Sequence, residues 1–384
     1  MKKVKVGVIG VGFIGPAHIE ALRRLGYVEV VAIADENEQA AKQKAEMLGV
    51  RTAYGDYKDL LADPEIEVVH ICTPNNSHYT MSKEALAAGK HVVCEKPLAM
   101  NSSEARELVQ IAAEKKLANA THFNIRFYPL IHHVREMIAR GDLGEIFAVN
   151  GSYQQDWLFL DTDYSWRLEP ELSGDSRAVA DIGSHWLDSI EFMTGIKINR
   201  VFAEFATFHP IRKKPLKAIE TYSGKMLSPE DYEDMKITTE DYASVLLRFD
   251  NGARGTLVVN QVAAGRKNRM FFEIYGSKAA VQYNTESPNE LWIGYREKSN
   301  ELLVRDPSLL YTEARNIASF PGGHNEGFPD TSKQFFSKFY KYIVDEGFRK
   351  GITPEFPTFA EGLRELELCE SIVDSARNEK WMSL

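Results

Sequence analysis

The chain has 384 residues, more than one ordinary hydrophobic core organises, so two domains are expected. Its 55 acidic and 46 basic residues leave a net charge of −9 without long single-sign runs, which argues against a nucleic-acid-binding surface. Three widely spaced cysteines, Cys72, Cys94 and Cys369, suit neither a disulfide framework nor a metal knuckle. With an N-terminal apolar stretch too short for a signal peptide and no segment of membrane-spanning length, a cytoplasmic protein is expected, with no membrane partner.

From residue 4 to about 121, short apolar runs alternate with amphipathic stretches, the pattern of a parallel sheet built from βαβ units. Strands are predicted at Val4 to Ile9, Val28 to Ala34, Val68 to Thr73, His91 to Cys94 and Ala118 to Thr121. Helices are predicted at Pro16 to Leu25, Glu36 to Leu48, His78 to Ala88 and Ser103 to Lys115, with Pro16 in a first turn and Gly89 past an end. Beyond Pro129 a helix from Leu130 to Arg140 leads into longer alternating runs: Ile146 to Tyr153, Tyr242 to Phe249, Gly255 to Gln261 and Met270 to Tyr275. These read as an antiparallel sheet with a hairpin turn at Asp250-Asn251-Gly252. Residues 210–239 read as a loop-rich insertion, and two late helices are expected at Thr331 to Asp345 and Phe359 to Arg377. The expected domains are 1–125, of Rossmann type, and 126–384, an α+β domain with a large, mostly antiparallel open sheet.

Gly10-Val11-Gly12-Phe13-Ile14-Gly15 follows a predicted strand and opens a predicted helix, the context that gives a glycine pattern meaning. Gly10 allows the tight turn, Gly12 lets backbone approach a pyrophosphate, and Gly15 permits close packing, with the helix N-terminus favouring phosphate charge. Asp35, 20 residues beyond Gly15, ends the second strand, where a carboxylate accepts from the adenosine ribose and repels a 2′-phosphate. Its alternative is a simple cap for the following helix. NAD is therefore the expected cofactor.

Glu95-Lys96-Pro97 ends the run His91-Val92-Val93-Cys94, and Asp181-Ile182-Gly183-Ser184-His185 places a carboxylate and an imidazole four apart on a predicted helix. That spacing suits a general base and its orienting partner, since an imidazole titrates near neutral pH. On these motifs the chain resembles the glucose-fructose oxidoreductase, inositol dehydrogenase and rhizopine catabolism superfamily, Gfo/Idh/MocA, of NAD(P)-dependent sugar and polyol dehydrogenases. The resemblance implies that Lys96 lies between nicotinamide and substrate and stabilises developing alkoxide, with a cis bond before Pro97 as one option. It implies that Thr73-Pro74-Asn75 lines the nicotinamide side, with Phe13, Ile14, His78, Glu95, Asn124 and Arg126 as further cofactor contacts. For His78 a structural role at a helix start is the competing expectation. Arg126, in Asn124-Ile125-Arg126-Phe127-Tyr128-Pro129, is also the expected substrate contact. The neighbouring His132-His133 reads as solvated, and no metal site is expected.

Tyr153, Trp157 and Trp166, set among amides and charges, combine apolar faces with hydrogen-bonding groups, as recognition of a sugar ring requires; sheet core is the alternative for each tryptophan. The resemblance adds His324, in Pro321-Gly322-Gly323-His324, as a substrate contact. With Glu240-Asp241 and Gly265-Arg266-Lys267-Asn268, these segments resemble the branch of levoglucosan, 1,5-anhydro-sugar and glucoside 3-dehydrogenases. The expected activity is hydride transfer from a ring secondary hydroxyl of a sugar or cyclitol to NAD, position 3 of a pyranose first, in a homodimer or homotetramer. A glycoside-cleaving enzyme working through a transient keto-sugar, and a non-catalytic sensor on the same fold, stand as alternatives.

Overall fold

The computed structural model describes residues 3–217 and 228–384. In chain order the elements are β1 (Val4–Ile9), α1 (Ile14–Arg23), β2 (Val28–Ala34), α2 (Glu38–Leu48), β3 (Thr52–Tyr54), α3 (Tyr57–Ala62), β4 (Val68–Ile71), α4 (Asn75–Ala87), β5 (His91–Cys94), α5 (Ser102–Lys115) and β6 (Asn119–Thr121). Then follow α6 (Pro129–Ala139), β7 (Ile146–Gln154), α7 (Pro170–Ser173), α8 (Ser184–Thr194), β8 (Ile198–Ala206), β9 (Ile211–Pro215), β10 (Tyr232–Lys236), β11 (Tyr242–Phe249), β12 (Arg254–Asn260), β13 (Arg269–Gly276), β14 (Ala280–Asn284), β15 (Glu290–Gly294) and β16 (Glu301–Val304). The chain closes with α9 (Thr312–Ile317), α10 (Phe328–Val344), α11 (Gly347–Lys350), α12 (Phe359–Asn378) and β17 (Met382–Ser383).

The valine- and isoleucine-rich runs of the first unit are buried on both faces, as parallel strands must be when crossover helices cover each side. Its sheet has the order β3-β2-β1-β4-β5-β6 with every pair parallel, the doubly wound dinucleotide-binding arrangement. The short β3 and α3 escaped the sequence patterns because three and six residues carry no readable period. The expected break after residue 125 falls after Asn124, but the chain also returns: the first unit is Met1–Asn124, Glu171–Gly174 and Thr331–Leu366. Phe359 and Leu366 of α12 accordingly join the core formed by Ile9, Val69, Ile71 and Leu108.

The second unit holds Ile125–Pro170, Asp175–Asp330 and Glu367–Leu384. Its nine-stranded sheet runs β16-β15-β14-β13-β7-β12-β11-β8-β17 and is antiparallel except where β12 pairs with β7. The Asp250-Asn251-Gly252 turn joins β11 to β12 as expected, with Gly252 at φ +91°. Alternation gives the sheet one core face, carrying Val201, Leu247, Leu257 and Phe272 beneath α6 and α8. The opposite face carries Phe202, Leu246, Val258, Phe271 and Trp292, all partly or fully exposed. Gly151 is fixed by close approach: a Cβ there would lie 2.3 Å from both Trp186 Nε1 and Phe271 O. Trp186 uses that space to donate Nε1–H to Phe271 O at 2.9 Å, anchoring α8 one residue after His185.

Two expectations about this unit are corrected. The 210–239 stretch contains a two-stranded antiparallel sheet, β9 with β10, rather than loop alone; residues 218–227 of it lie outside the described residues. His132 and His133 are buried, not solvated. His132 packs on Phe127 and Phe192, and His133 stacks on Tyr311 with its Nδ1 accepting the Tyr311 N–H at 3.2 Å. Helix α6 is covered on the side its polar residues suggested would face water. Among the described residues no helix is long and apolar enough to cross a membrane.

Candidate active site

In the first unit the glycine turn has the form a dinucleotide needs. Gly10 sits at φ +84° with its N–H on Ala34 O, and a side chain there would strike Cys72 O at 2.7 Å. A Cβ on Gly15 would come within 2.2 Å of Gly10 O, so the helix packs directly on the turn. Gly12, by contrast, has no heavy atom within 4 Å of its Cβ position, which leaves its face open. No side chain caps α1, and Phe13 beside it is 62% exposed. Open backbone at an uncapped helix N-terminus fits a pyrophosphate.

Asp35 holds this turn rather than capping a helix. Its Oδ2 accepts Val11 N–H at 3.2 Å and its Oδ1 accepts Glu36 N–H at 2.9 Å, while Asn37 caps α2 through Ala40 N–H. The carboxylate is thus fixed at the end of β2, where the adenosine ribose is expected. At the end of β4, Thr73 and Pro74 lead into α4, and Thr73 Oγ1 accepts from Ser77 Oγ at 2.6 Å.

Several expected cofactor contacts are committed elsewhere. Asn75 Nδ2 donates to Ser173 O at 2.9 Å, and Asn124 Nδ2 donates to Thr331 Oγ1 at 2.7 Å. His78 is completely buried, its Nδ1 2.7 Å from Pro97 O and its Nε2 2.9 Å from Thr73 O. It therefore clamps two loops together, and the structural alternative replaces the expected cofactor contact. Glu95 points into the domain: its Oε1 accepts from His18 Nε2 at 2.9 Å and His122 Nδ1 at 2.5 Å. Burial raises this carboxyl, but the two imidazoles outweigh it and hold it well below the usual carboxylate range. Lys96 follows, partly exposed, with a cis bond to Pro97.

In the second unit, Val179–Gly183 forms a π-helical turn that passes into α8 at Ser184. Such turns interrupt the regular ladder and recur at functional sites. Asp181 lies in it, accepting from Arg167 Nε at 3.0 Å and Gln261 Nε2 at 3.1 Å. The Gln261 amide is oriented in turn by Arg177, whose Nη1 donates to its Oε1 at 3.1 Å. Arg177 and Arg212 are fully buried against Asp241, and Glu240 accepts Arg177 N–H and Val179 N–H at the start of the π-turn. Burial raises the Asp241 carboxyl, but the two guanidinium groups outweigh it and keep it below its ordinary range. Glu240-Asp241 was visible in the sequence only through resemblance; Arg177 and Gln261 gave no local signal.

His185 is buried on α8, its ring 6.3 Å from that of Tyr153, whose hydroxyl donates to Asn268 Oδ1 at 2.9 Å. Trp157 and Trp166 are half-buried, with Trp166 stacked under Arg167, so neither is sheet core. His324 is exposed on a loop whose carbonyls at Phe320, Pro321 and His324 accept from the buried Arg305, itself paired with Glu326. Arg126 is redirected: its Nε donates to Asp188 Oδ2 at 2.6 Å, its Nη2 donates to Asp188 Oδ1, and its guanidinium lies 4.7 Å over Phe192. That buried bidentate pair fixes the guanidinium on Asp188 of α8.

Residues 4–123 match the family described as "Oxidoreductase family, NAD-binding Rossmann fold", and residues 131–282 match the "GFO/IDH/MocA C-terminal domain". Levoglucosan dehydrogenase of Pseudarthrobacter phenanthrenivorans is 29% identical over 405 aligned residues, covering 100% of this chain and 99% of that protein. A solved structure of levoglucosan dehydrogenase with NADH and L-sorbose superposes with a TM-score of 0.88 at 27% identity, covering 100% and 99% of the two chains. An inositol dehydrogenase homologue from Azotobacter vinelandii, solved with NADH and myo-inositol, gives 0.86 at 25% identity, covering 100% and 98%. Fold, glycine turn and these matches together define an NAD-dependent oxidoreductase acting on CH–OH groups. The chain belongs to the Gfo/Idh/MocA family.

Proposed function

We propose that this enzyme oxidises a secondary hydroxyl on the ring of a sugar or cyclitol, the hydride passing to NAD. Bound NAD supplies the hydride acceptor; every other requirement falls on side chains. Lys96 donates to the reacting oxygen and stabilises the charge that develops on it, an effect strengthened where water is excluded. His185 takes the hydroxyl proton as the C–H bond breaks, and Asp181, fixed by Arg167 and Gln261, is the carboxylate that tunes its proton affinity. Tyr153, Trp157, Trp166 and His324 bind the ring. Position 3 of a pyranose is the proposed site of oxidation.

The observation that carries this reading is the π-turn bearing Asp181 just ahead of a buried His185, each carried by its own packing: Glu240 at the turn and Trp186 on Gly151. Relatives solved with NADH and either levoglucosan or myo-inositol support the substrate class. The three cysteines are free and buried, which suits a reducing cytoplasm. The open sheet face with Phe202, Leu246 and Phe271 is the proposed surface for self-association into a homodimer or homotetramer.

The test is NADH formation against a panel of pyranoses, anhydro-sugars and inositols, with the product identified. His185→Ala and Lys96→Ala are each expected to lower kcat by roughly 100- to 10,000-fold, the usual range for losing a positioned proton-transfer group. Folded variants keeping more than half of wild-type turnover would remove both residues from the chemistry. Deuterium at ring position 3 of an accepted sugar should appear in the reduced cofactor; label retained in a lactone product would reject that position.

A further inference from the structure

Histidines 18, 70, 78 and 122 are all buried in the first unit, and three of them form one connected chain. The Tyr340 hydroxyl lies 2.8 Å from His70 Nε2, His70 Nδ1 lies 2.9 Å from His18 Nδ1, and His18 Nε2 lies 2.9 Å from Glu95 Oε1. Burial raises the Tyr340 phenol, which keeps its proton; with that proton donated to His70 Nε2, the His70 proton sits on Nδ1. That proton goes to His18 Nδ1, leaving the His18 proton on Nε2, aimed at Glu95. In this set of tautomers each link from Tyr340 to Glu95 has one donor and one acceptor, while His18 Nε2 and His122 Nδ1, both turned on Glu95 Oε1, lie 3.2 Å apart. His122 Nδ1 adds a second N–H to the same Oε1. Phe336 packs against the His18, His70 and His122 rings at 4.9 to 5.1 Å and keeps water out.

The other side of the same turn is also held. Glu95 Oε2 accepts Lys96 N–H at 3.3 Å, and Pro97 O meets His78 Nδ1 at 2.7 Å. The residue before Lys96 is thus locked through its carboxylate and the residue after it through its carbonyl.

We infer that His18, His122 and Glu95, extended by His70 and Tyr340, are positioning residues that fix the backbone from which Lys96 reaches the reacting oxygen. The same three atoms, His18 Nε2, His122 Nδ1 and Glu95 Oε1, lie within 4.8 Å of one another and could in principle ligate a cation. Two ring nitrogens already meet Glu95 Oε1 as N–H donors. Both N–H groups point at one oxygen, and a metal there would have to displace both protons.

The inference rests on Lys96 being the group that acts on substrate, so Lys96→Ala is measured first: if it keeps activity, that proposal fails and the positioning role has no object. With Lys96→Ala inactive, His122→Leu is expected to lower kcat 10- to 100-fold, as for an approximately 1 Å misplacement, with KM for NAD changed less than about threefold. The primary deuterium isotope effect on kcat should rise as chemistry becomes rate-limiting. His122→Asn, whose amide nitrogen replaces Nδ1, should restore kcat to within about threefold of wild type. A folded His122→Leu enzyme within twofold of wild-type kcat would overturn the positioning role alone. If His122→Leu does not fold, His122→Asn against Glu95→Gln decides: Asn must retain at least a third of kcat while Gln falls to a tenth or less, and any other ordering overturns it. Stoichiometric zinc in the purified enzyme would overturn the assignment of protons, whereas metal-free, fully active enzyme supports it.

Discussion

Asp188→Ala should cost about 3–5 kcal/mol of folding free energy, because it strands a buried guanidinium. The Asp188 side chain is 1% exposed and that of Arg126 11%, and two charge-assisted hydrogen bonds join them. Water has little access to replace the lost carboxylate, so the penalty reflects a buried guanidinium that loses its anionic partner rather than the worth of one contact. The double variant Arg126→Met with Asp188→Leu removes both charges in similar volume and should recover to within about 2 kcal/mol of wild type, since hydrophobic replacements of buried pairs are often neutral or better. Some loss is expected from the guanidinium stacked on Phe192, roughly 0.5–2 kcal/mol for such contacts. Urea denaturation of the three proteins measures the cycle, with kcat/KM recorded in parallel. A single-variant cost below about 1 kcal/mol would refute the claim that the pair is sealed from water. A double variant as stable as wild type but crippled more than about 100-fold in kcat/KM would return Arg126 to the ligand.

Asp35→Ser should remove the charge that repels a 2′-phosphate and raise kcat/KM with NADP by about one to two decades; unchanged discrimination would show that the Asp35 carboxylate faces only Val11 and Glu36. Burial pushes His18 and His91 down to about 4 from an ordinary 6.5, so the folded state binds fewer protons than the unfolded chain between those values. Stability is therefore full above about pH 6.5 and is lost as pH falls toward 4, with a slope approaching about 1.4 kcal/mol per pH unit for each histidine; a urea midpoint unchanged from pH 7 to pH 5 would contradict this. Leu246→Glu, on the open face of the β-sheet, should shift the protein to smaller species in light scattering without altering its fold, and a wild-type enzyme that is already monomeric would rule out that face as an interface.

The sequence by itself determined the doubly wound first unit, the glycine turn, Asp35 at the end of β2, the β11–β12 hairpin and the spacing of Asp181 and His185. The glycine turn, Asp35, the hairpin and the Asp181–His185 spacing depend on interactions within some 30 residues, where periodicity and turn chemistry are visible in the chain, and the alternation of short strands with helices implied the parallel sheet that pairs Val6 with Val68. Tertiary structure decided which candidates remain available to a ligand. Arg126 goes to Asp188, Asn124 to Thr331 and Glu95 to His18 and His122, partners separated by 62, 207 and 27 to 77 positions. His70 finds Tyr340 across 270 positions. The return of residues 331–366 to the first unit, and the covering of His132 and His133 on α6, are likewise matters of packing. A buried polar group must be satisfied wherever the fold offers a partner, and a one-dimensional pattern records that a residue is polar but not which distant group will meet it.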